Sequence, residues 1–182
     1  MDRRCWGRTS ELTTFYCSLN SNHGQGYLTR ALSYHLPHTP ILAIDADEQQ
    51  TLGAQRFEAR VFHGKSKSGA RRITHKILLI NPDNLLQAID EWVREEAQSV
   101  SSQDAEPKPQ IELPQILFVA LHACGSLTID VLRAYVAAVR QRRTTTAAAH
   151  LWTPAGVVAV GCCYNLMRDG GMYCPLSQLA LV

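Results

Sequence analysis

The sequence has no long hydrophobic run and little net charge. No apolar stretch in its 182 residues approaches the roughly 20 residues of a membrane-spanning helix, so we expect no membrane attachment. The first residues are positively charged but no apolar stretch follows them. A secretory signal is therefore not visible, and we expect an intracellular protein, either cytoplasmic or nuclear. A net charge of +2 does not by itself indicate a nucleic-acid partner.

The cysteines do not form a metal-binding pattern. There are six: Cys5, Cys17, Cys124, Cys162, Cys163 and Cys174. No C-x₂-C spacing occurs among them, which argues against a zinc site. In a chain without a secretory signal we expect the thiols to stay reduced.

Charge is unevenly distributed along the chain. Residues 60–76 and 140–143 are rich in Arg, Lys and His, whereas residues 90–106 are acidic. A basic segment can attract a phosphate backbone, and it can equally be a solvated surface loop. The solvated loop is the simpler interpretation.

The chain does contain a regular alternation of strand-like and helix-like segments. The predicted strands are residues 13–19, 41–44, 73–80, 116–121 and 156–160, and the predicted helices are 27–35, 48–60, 84–97 and 127–140. This pattern predicts an α/β fold with a mostly parallel sheet and helices on both faces. We expect a single domain over residues 13–182, after an N-terminal extension of residues 1–12. The polar residues 99–114 form a flexible internal connection.

A glycine turn and an acidic residue suggest a nucleoside site. Gly24 and Gly26 allow a backbone to pass close to a ligand. Asp45 follows the next predicted strand, where a carboxylate accepts hydrogen bonds from ribose hydroxyls. The alternative is that Asp45 caps the helix that starts at Glu48, a role that Asp47 can share.

Two later strands end in small polar clusters, residues 122–125 and 161–165. The carboxyl ends of parallel strands meet at one edge of a sheet, where ligands bind. His122 there suits a base or a hydrogen-bond donor. Cys124 is either a reactive thiol or, more commonly, a small packing residue. Asn165 at the end of the last strand can orient a target amine or hydroxyl.

Five segments carry a family resemblance: residues 24–32 (GQGYLTRAL), 43–45 (AID), 121–128 (LHACGSLT), 160–164 (VGCCY) and 175–177 (PLS). In order and spacing they resemble the methyltransferase-like 25 family, which includes proteins named for a ribosomal RNA adenine dimethylase domain. The resemblance implies a Rossmann-like class I methyltransferase sheet that binds S-adenosylmethionine. It also implies two further C-terminal strands, which this chain is expected to lack.

The resemblance assigns cofactor-binding positions to seven residues: Asn20, Asn22, Gly24, Gly26, Asp45, His122 and Cys124. Family members open the loop with Asp-x-Gly-x-Gly-x-Gly, and here asparagine stands in place of the aspartate and the first glycine, at Asn20 and Asn22. His122 and Asn165 are the expected positioning residues for a methyl acceptor, either RNA or protein.

Two other functions remain open at this point. One is a non-catalytic methyltransferase-like module that binds a partner, which the asparagine substitutions and the short C-terminus favour. It predicts an exposed apolar edge where the missing strands would pair. The other is a nicotinamide-dependent oxidoreductase, which is weaker because the glycines do not complete G-x-G-x-x-G.

Overall fold

The computed structural model describes five stretches of the chain: residues 14–20, 26–62, 73–101, 113–144 and 150–161. Strands and helices alternate along them. In chain order the elements are β1 (Thr14–Asn20), α1 (Tyr27–His35), β2 (Ile41–Asp45), α2 (Glu48–Phe62), β3 (Ile73–Ile77), α3 (Pro82–Ser101), β4 (Gln115–Leu121), α4 (Leu127–Thr144) and β5 (Thr153–Val160). The predicted α/β alternation is therefore confirmed.

The five strands form one parallel sheet. Their order is β3-β2-β1-β4-β5, and each of the four pairings is parallel. Two strands thus extend to one side of β1 and two to the other. This order reverses direction between β1 and β4, which is the topological switch point of a doubly wound fold.

Helices cover both faces of the sheet. Leu42 and Ile44 of β2 are fully buried in a hydrophobic cluster with residues of α3 and α4. Ala43 points to the opposite face, because side chains alternate along a strand. There it lines a small pocket with Thr29 of α1 and Ala54 of α2. Right-handed crossovers account for this division of the helices.

Several predicted boundaries are wrong by a few residues. The predicted strand 73–80 ends at Ile77. The Leu78 N–H still donates to the carbonyl of Asp45 at 2.9 Å, and the chain then leaves the sheet. The predicted flexible connection 99–114 starts too early, since α3 continues to Ser101. Other elements are longer than predicted, with α2 ending at Phe62, α4 ending at Thr144 and β5 beginning at Thr153.

α3 has a capped start and a continuous apolar stripe. The side-chain oxygen of Asn81 accepts hydrogen bonds from the N–H groups of Asp83 (3.1 Å) and Asn84 (2.9 Å). Pro82 occupies the first helical position, where its missing N–H costs nothing. Buried residues then recur at helical spacing, namely Leu85, Ala88, Ile89, Trp92 and Val93. The helix predicted over residues 84–97 is confirmed, and it extends from Pro82 to Ser101.

A polar contact links α3 to the start of β5. The indole N–H of Trp152 donates to Asp90 Oδ1 at 2.7 Å. The Trp152 ring also packs against Phe118 of β4, with ring centres 5.9 Å apart. Trp152 is buried, so this hydrogen bond satisfies an indole N–H that has little access to water.

Across the described stretches, none of the helices has the length and apolar character needed to cross a membrane. Over the same stretches, His, Cys, Asp and Glu side chains form no group that suits a metal ion.

Candidate functional site at the carboxyl edge of the sheet

Three predicted site residues lie along the carboxyl edge of neighbouring strands. The register of β1 with β2 places Asn20 level with Asp45. The register of β1 with β4 places Asn20 level with Leu121, so His122 lies one residue beyond that strand. With adjacent strands about 4.8 Å apart, the Cα atoms of Asp45 and His122 are separated by about 10 Å across β1. The edge lies at the topological switch point, where open α/β sheets bind ligands.

Asp45 presents a buried carboxylate at the end of β2. Its Oδ1 accepts a hydrogen bond from the Asp47 N–H at 2.9 Å, and the backbone N–H of Ala46 also hydrogen-bonds to the carboxyl group. Burial raises the pKa of the Asp45 carboxyl above its ordinary value, and the negative charge of Asp47 adds to this rise. A buried carboxylate oxygen of this kind favours a ligand that donates hydrogen bonds.

Asp47, not Asp45, caps α2. The Oδ1 atom of Asp47 accepts hydrogen bonds from the N–H groups of Gln49 (2.7 Å) and Gln50 (3.1 Å). The hydroxyl of Thr51 donates to the Asp47 carbonyl at 3.0 Å. The alternative interpretation of Asp45 as the helix cap is therefore wrong, and its carboxylate is available to a ligand.

Gly26 brings α1 close to α2. It adopts a left-handed φ of 67°, and its carbonyl accepts the Arg30 N–H at 2.9 Å as α1 begins. A Cβ at this position would lie 2.9 Å from the Cβ of Ala54. Glycine is required here for both the backbone conformation and the close approach. The additional role of Gly26 in cofactor binding stays a prediction.

His122 sits in a strained turn between β4 and α4. Its φ of 58° is unusual for a residue other than glycine, although histidine is enriched there. Two hydrogen bonds hold the next residue in place: the Ala123 N–H donates to the Val160 carbonyl (3.2 Å), and the Thr128 hydroxyl donates to the Ala123 carbonyl (2.6 Å). The His122 side chain is exposed. The turn therefore fixes an imidazole at the edge of the sheet.

Cys124 follows in the same turn. It is half-buried, and its carbonyl accepts the Leu127 N–H at 3.3 Å. Gly125 has a φ of 60°, a left-handed conformation that glycine adopts readily at the turn into α4. The backbone of Cys124 thus supports the start of α4, and cofactor contact by its thiol stays a prediction.

Part of the predicted site lies outside the described residues. These positions are Asn22, Gly24, Cys162, Cys163, Tyr164, Asn165 and residues 175–177. Their roles as cofactor-loop, positioning or closing residues remain predictions. The structure describes the backbone of Asn20 as the last residue of β1.

Two residues of the basic segment 60–76 pair with carboxylates, and one of these pairs is buried. His75 Nε2 lies 3.0 Å from each carboxylate oxygen of Glu58, and the two side chains are 9% and 14% exposed. His75 also lines the pocket beside Asp45. Lys76 pairs with Glu91 on α3 at 3.1 Å. The interpretation of these two residues as part of a solvated loop is wrong, because both bind carboxylates of neighbouring helices.

Leu79 is an exposed apolar residue, close in sequence to this edge, that the sequence analysis did not single out. It follows Leu78, whose N–H donates to the Asp45 carbonyl. The Leu79 side chain is 80% exposed. A nucleoside needs an apolar surface for its base as well as a polar partner for its ribose. The sequence signal that could have identified Leu79 is an apolar residue between the end of a strand and the helix that Asn81 caps.

Asp130 is a second residue that the sequence did not reveal. It lies in the first turn of α4 and is only 5% exposed. Burial raises the pKa of its carboxyl, while the positive charge of Arg133 and a hydrogen bond from Ser126 oppose that rise. An acidic residue in a first helical turn is ordinarily a surface residue that favours the helix dipole. Here it is buried, and its carboxyl accepts a hydrogen bond from Ser126, which lies between the His122 turn and α4.

The sheet topology defines the class of fold. An open, doubly wound parallel sheet with helices on both faces is a Rossmann-like α/β fold. The sequence profile of a family described as a methyltransferase domain matches residues 16–170, and the chain belongs to this family. Membership indicates methyltransferase activity, for which such domains generally use S-adenosylmethionine. No solved structure gives a significant match.

Proposed function

We propose that this protein is an S-adenosylmethionine-dependent methyltransferase of the methyltransferase-like 25 type, with RNA as its acceptor. The observation that carries the proposal is the buried Asp45 carboxylate at the carboxyl edge of the sheet. This carboxylate does not cap α2, because Asp47 binds the free N–H groups at the start of that helix. The membership of the chain in a methyltransferase-domain family supports methyl transfer as the reaction.

The described residues fit the adenosine part of this cofactor. Asp45 would accept hydrogen bonds from the ribose hydroxyls, since its helix-capping role is taken by Asp47. The exposed Leu79 beside it would cover one face of the adenine ring. Gly26 keeps the start of α1 close to this edge. When bound, S-adenosylmethionine supplies a methyl group on a positively charged sulfur.

The acceptor side of the site would depend on His122. Methyl transfer needs little covalent help from the protein, and most of the rate enhancement comes from holding the acceptor in line with the methyl group. The exposed His122, whose Cα atom lies about 10 Å from that of Asp45, would hydrogen-bond an acceptor nitrogen or oxygen. Asn165 is proposed as its partner. Support for RNA comes from the family resemblance and from the basic residues 60–72, which precede the carboxylate-bound His75 and Lys76.

Calorimetric titration with S-adenosylmethionine tests the cofactor site. We expect micromolar binding by the wild-type chain and a loss of at least about tenfold in Asp45→Asn, which removes a charged acceptor of ribose hydrogen bonds. Asp47→Ser is the matched control. It removes a neighbouring negative charge but keeps a helix cap, so cofactor affinity should be retained. Equal binding by Asp45→Asn and the wild-type chain would contradict the assignment.

The second candidate is a non-catalytic module that binds a partner. Val158 and Val160 favour it, since they are 51% and 49% exposed on β5, which is an outer strand among the described elements. Such a surface suits an additional strand or helix. If the well-folded chain does not bind S-adenosylmethionine at all, this candidate replaces the enzyme.

A further inference from the structure

Two arginines and two aromatic rings alternate on the surface of α1 and α2. The guanidinium carbon of Arg30 lies 4.8 Å from the ring centre of Tyr27 and 5.3 Å from that of Phe57. The guanidinium carbon of Arg60 lies 5.9 Å from the Phe57 ring centre. The four residues form a continuous series in the order Tyr27, Arg30, Phe57 and Arg60, called here the arginine–aromatic ladder. All three contacts are within the range of cation–π attraction.

The rings of the ladder are accessible. Tyr27 is 66% exposed and Phe57 is 38% exposed. A contact that served only to fasten α1 to α2 would bury its aromatic surface, because that burial is the main source of its stabilisation. The helices are already held close by the contact between Gly26 and Ala54. Packing of the two helices therefore does not explain why large rings stay at the surface.

The surface around the ladder is positively charged. α1 contains no acidic residue, and α2 adds the exposed Arg56 to the arginines of the ladder. The carboxylate of Glu58 is turned inward to His75 and does not offset this charge. A positive surface with exposed aromatic side chains matches a polyanion that also carries flat rings. Single-stranded nucleic acid has both, whereas an acidic peptide has only the charge.

We infer that the arginine–aromatic ladder binds single-stranded RNA, with bases stacked on Tyr27 and Phe57 and phosphates at the arginines. The ladder starts at Tyr27, directly after Gly26, which lines the pocket beside Asp45. A strand bound along it leads to the carboxyl edge, where an acceptor base would be methylated. This last step rests on the proposed function, whereas RNA binding by the ladder does not require methyl transfer.

Fluorescence anisotropy with a labelled oligouridylate of about 12 nucleotides tests the ladder, since single-strand sites cover about 4–16 nucleotides. We expect Tyr27→Ala and Phe57→Ala each to weaken binding by about tenfold, the usual effect of removing a base-stacking ring. Phe57→Tyr should restore the affinity. Tyr34→Ala is the matched control. Tyr34 is a 62% exposed tyrosine on α1, the helix of Tyr27, and it lies outside the ladder.

Salt dependence tests the phosphate contacts. Arg60→Gln should reduce the slope of log K against log salt concentration by about 0.7, the value for one phosphate contact with a single strand. Arg56→Gln makes the same charge change on the same helix without a contact to the rings, and should leave the slope nearly unchanged. Circular dichroism of each variant verifies that it is folded.

The outcomes are distinct. Equal RNA affinity in the Tyr27→Ala, Phe57→Ala and Tyr34→Ala variants overturns the inference. Equal effects of Arg56→Gln and Arg60→Gln also overturn it, because binding would then reflect general positive charge. The inference is also overturned if an acidic polypeptide displaces the labelled RNA as effectively as unlabelled RNA does. Loss of S-adenosylmethionine binding in Asp45→Asn, with RNA binding intact, leaves the ladder standing and tests the methyltransferase function separately.

Discussion

Replacing Gly26 by alanine should destabilise the fold substantially. The substitution forces a residue with a Cβ into the left-handed region at φ 67°, which costs about 1–2 kcal/mol. The new Cβ would also lie 2.9 Å from the Cβ of Ala54, closer than real Cβ atoms approach, and α1 must shift away. Overpacking of this kind typically costs about 1–3 kcal/mol. We therefore expect a total of about 2–5 kcal/mol, against a typical domain stability of about 5–15 kcal/mol.

Urea unfolding monitored by circular dichroism measures this loss. For a slope of about 2 kcal/mol per molar urea, the midpoint should fall by about 1–2.5 M. Gly53→Ala is the matched control, because it makes the same chemical change one residue before Ala54. An added Cβ at Gly53 meets no atom within 4 Å, so this variant should be stabilised by about 0.5–1 kcal/mol.

A double-mutant cycle separates the two contributions. Adding Ala54→Gly to Gly26→Ala removes the overlapping Cβ but leaves the backbone strain, so part of the lost stability should return as a favourable coupling of about 1–2 kcal/mol. The reasoning is refuted if Gly26→Ala is as stable as Gly53→Ala. An additive cycle would refute the steric part alone.

Three further predictions concern single side chains. Because burial raises the Asp45 pKa, the folded state loses stability relative to the unfolded state as pH rises above the ordinary value of 3.8. Asp45→Asn should therefore raise the urea midpoint at pH 7 but not below pH 3.8. Asp90→Ala should cost about 1–3 kcal/mol by stranding the Trp152 N–H, whereas Asp90→Asn keeps an acceptor; thermal unfolding compares them. His122→Gly should increase stability by about 1 kcal/mol while lowering methyl transfer, measured with radiolabelled S-adenosylmethionine.

Local signals in the sequence were sufficient for several elements. α1 has its predicted bounds, Tyr27–His35, because a glycine turn precedes it and Pro37 follows it. Periodicity failed at the end of β3. Leu78 and Ile80 continue an apolar run, yet they pack against the hydrophobic cluster from outside the sheet. An apolar run records burial, and burial alone does not separate a strand from the segment that follows it.

The sequence predicted only those features of the candidate site that follow from the topology of the sheet. Asp45 and His122 share an edge because the carboxyl ends of parallel strands coincide. The pairing of His75 with Glu58 and the burial of Asp130 depend on how helices pack on the sheet. Neither has a local sequence signal. Histidine, glutamate and aspartate side chains are ordinarily at least partly exposed. Composition and spacing therefore predicted solvent-exposed positions for His75, Glu58 and Asp130.

The central position of β1 has a consequence for the order of folding. Its partners in β2 follow closely in sequence, whereas its partners in β4 lie about a hundred residues further along the chain. Closing so long a loop costs entropy before any contact offsets it, and such pairings form slowly. The half of the edge that carries Asp45 can assemble from local contacts. The half that carries His122 joins only after β4 has been synthesised and docked, so the site is completed late in the folding of this chain.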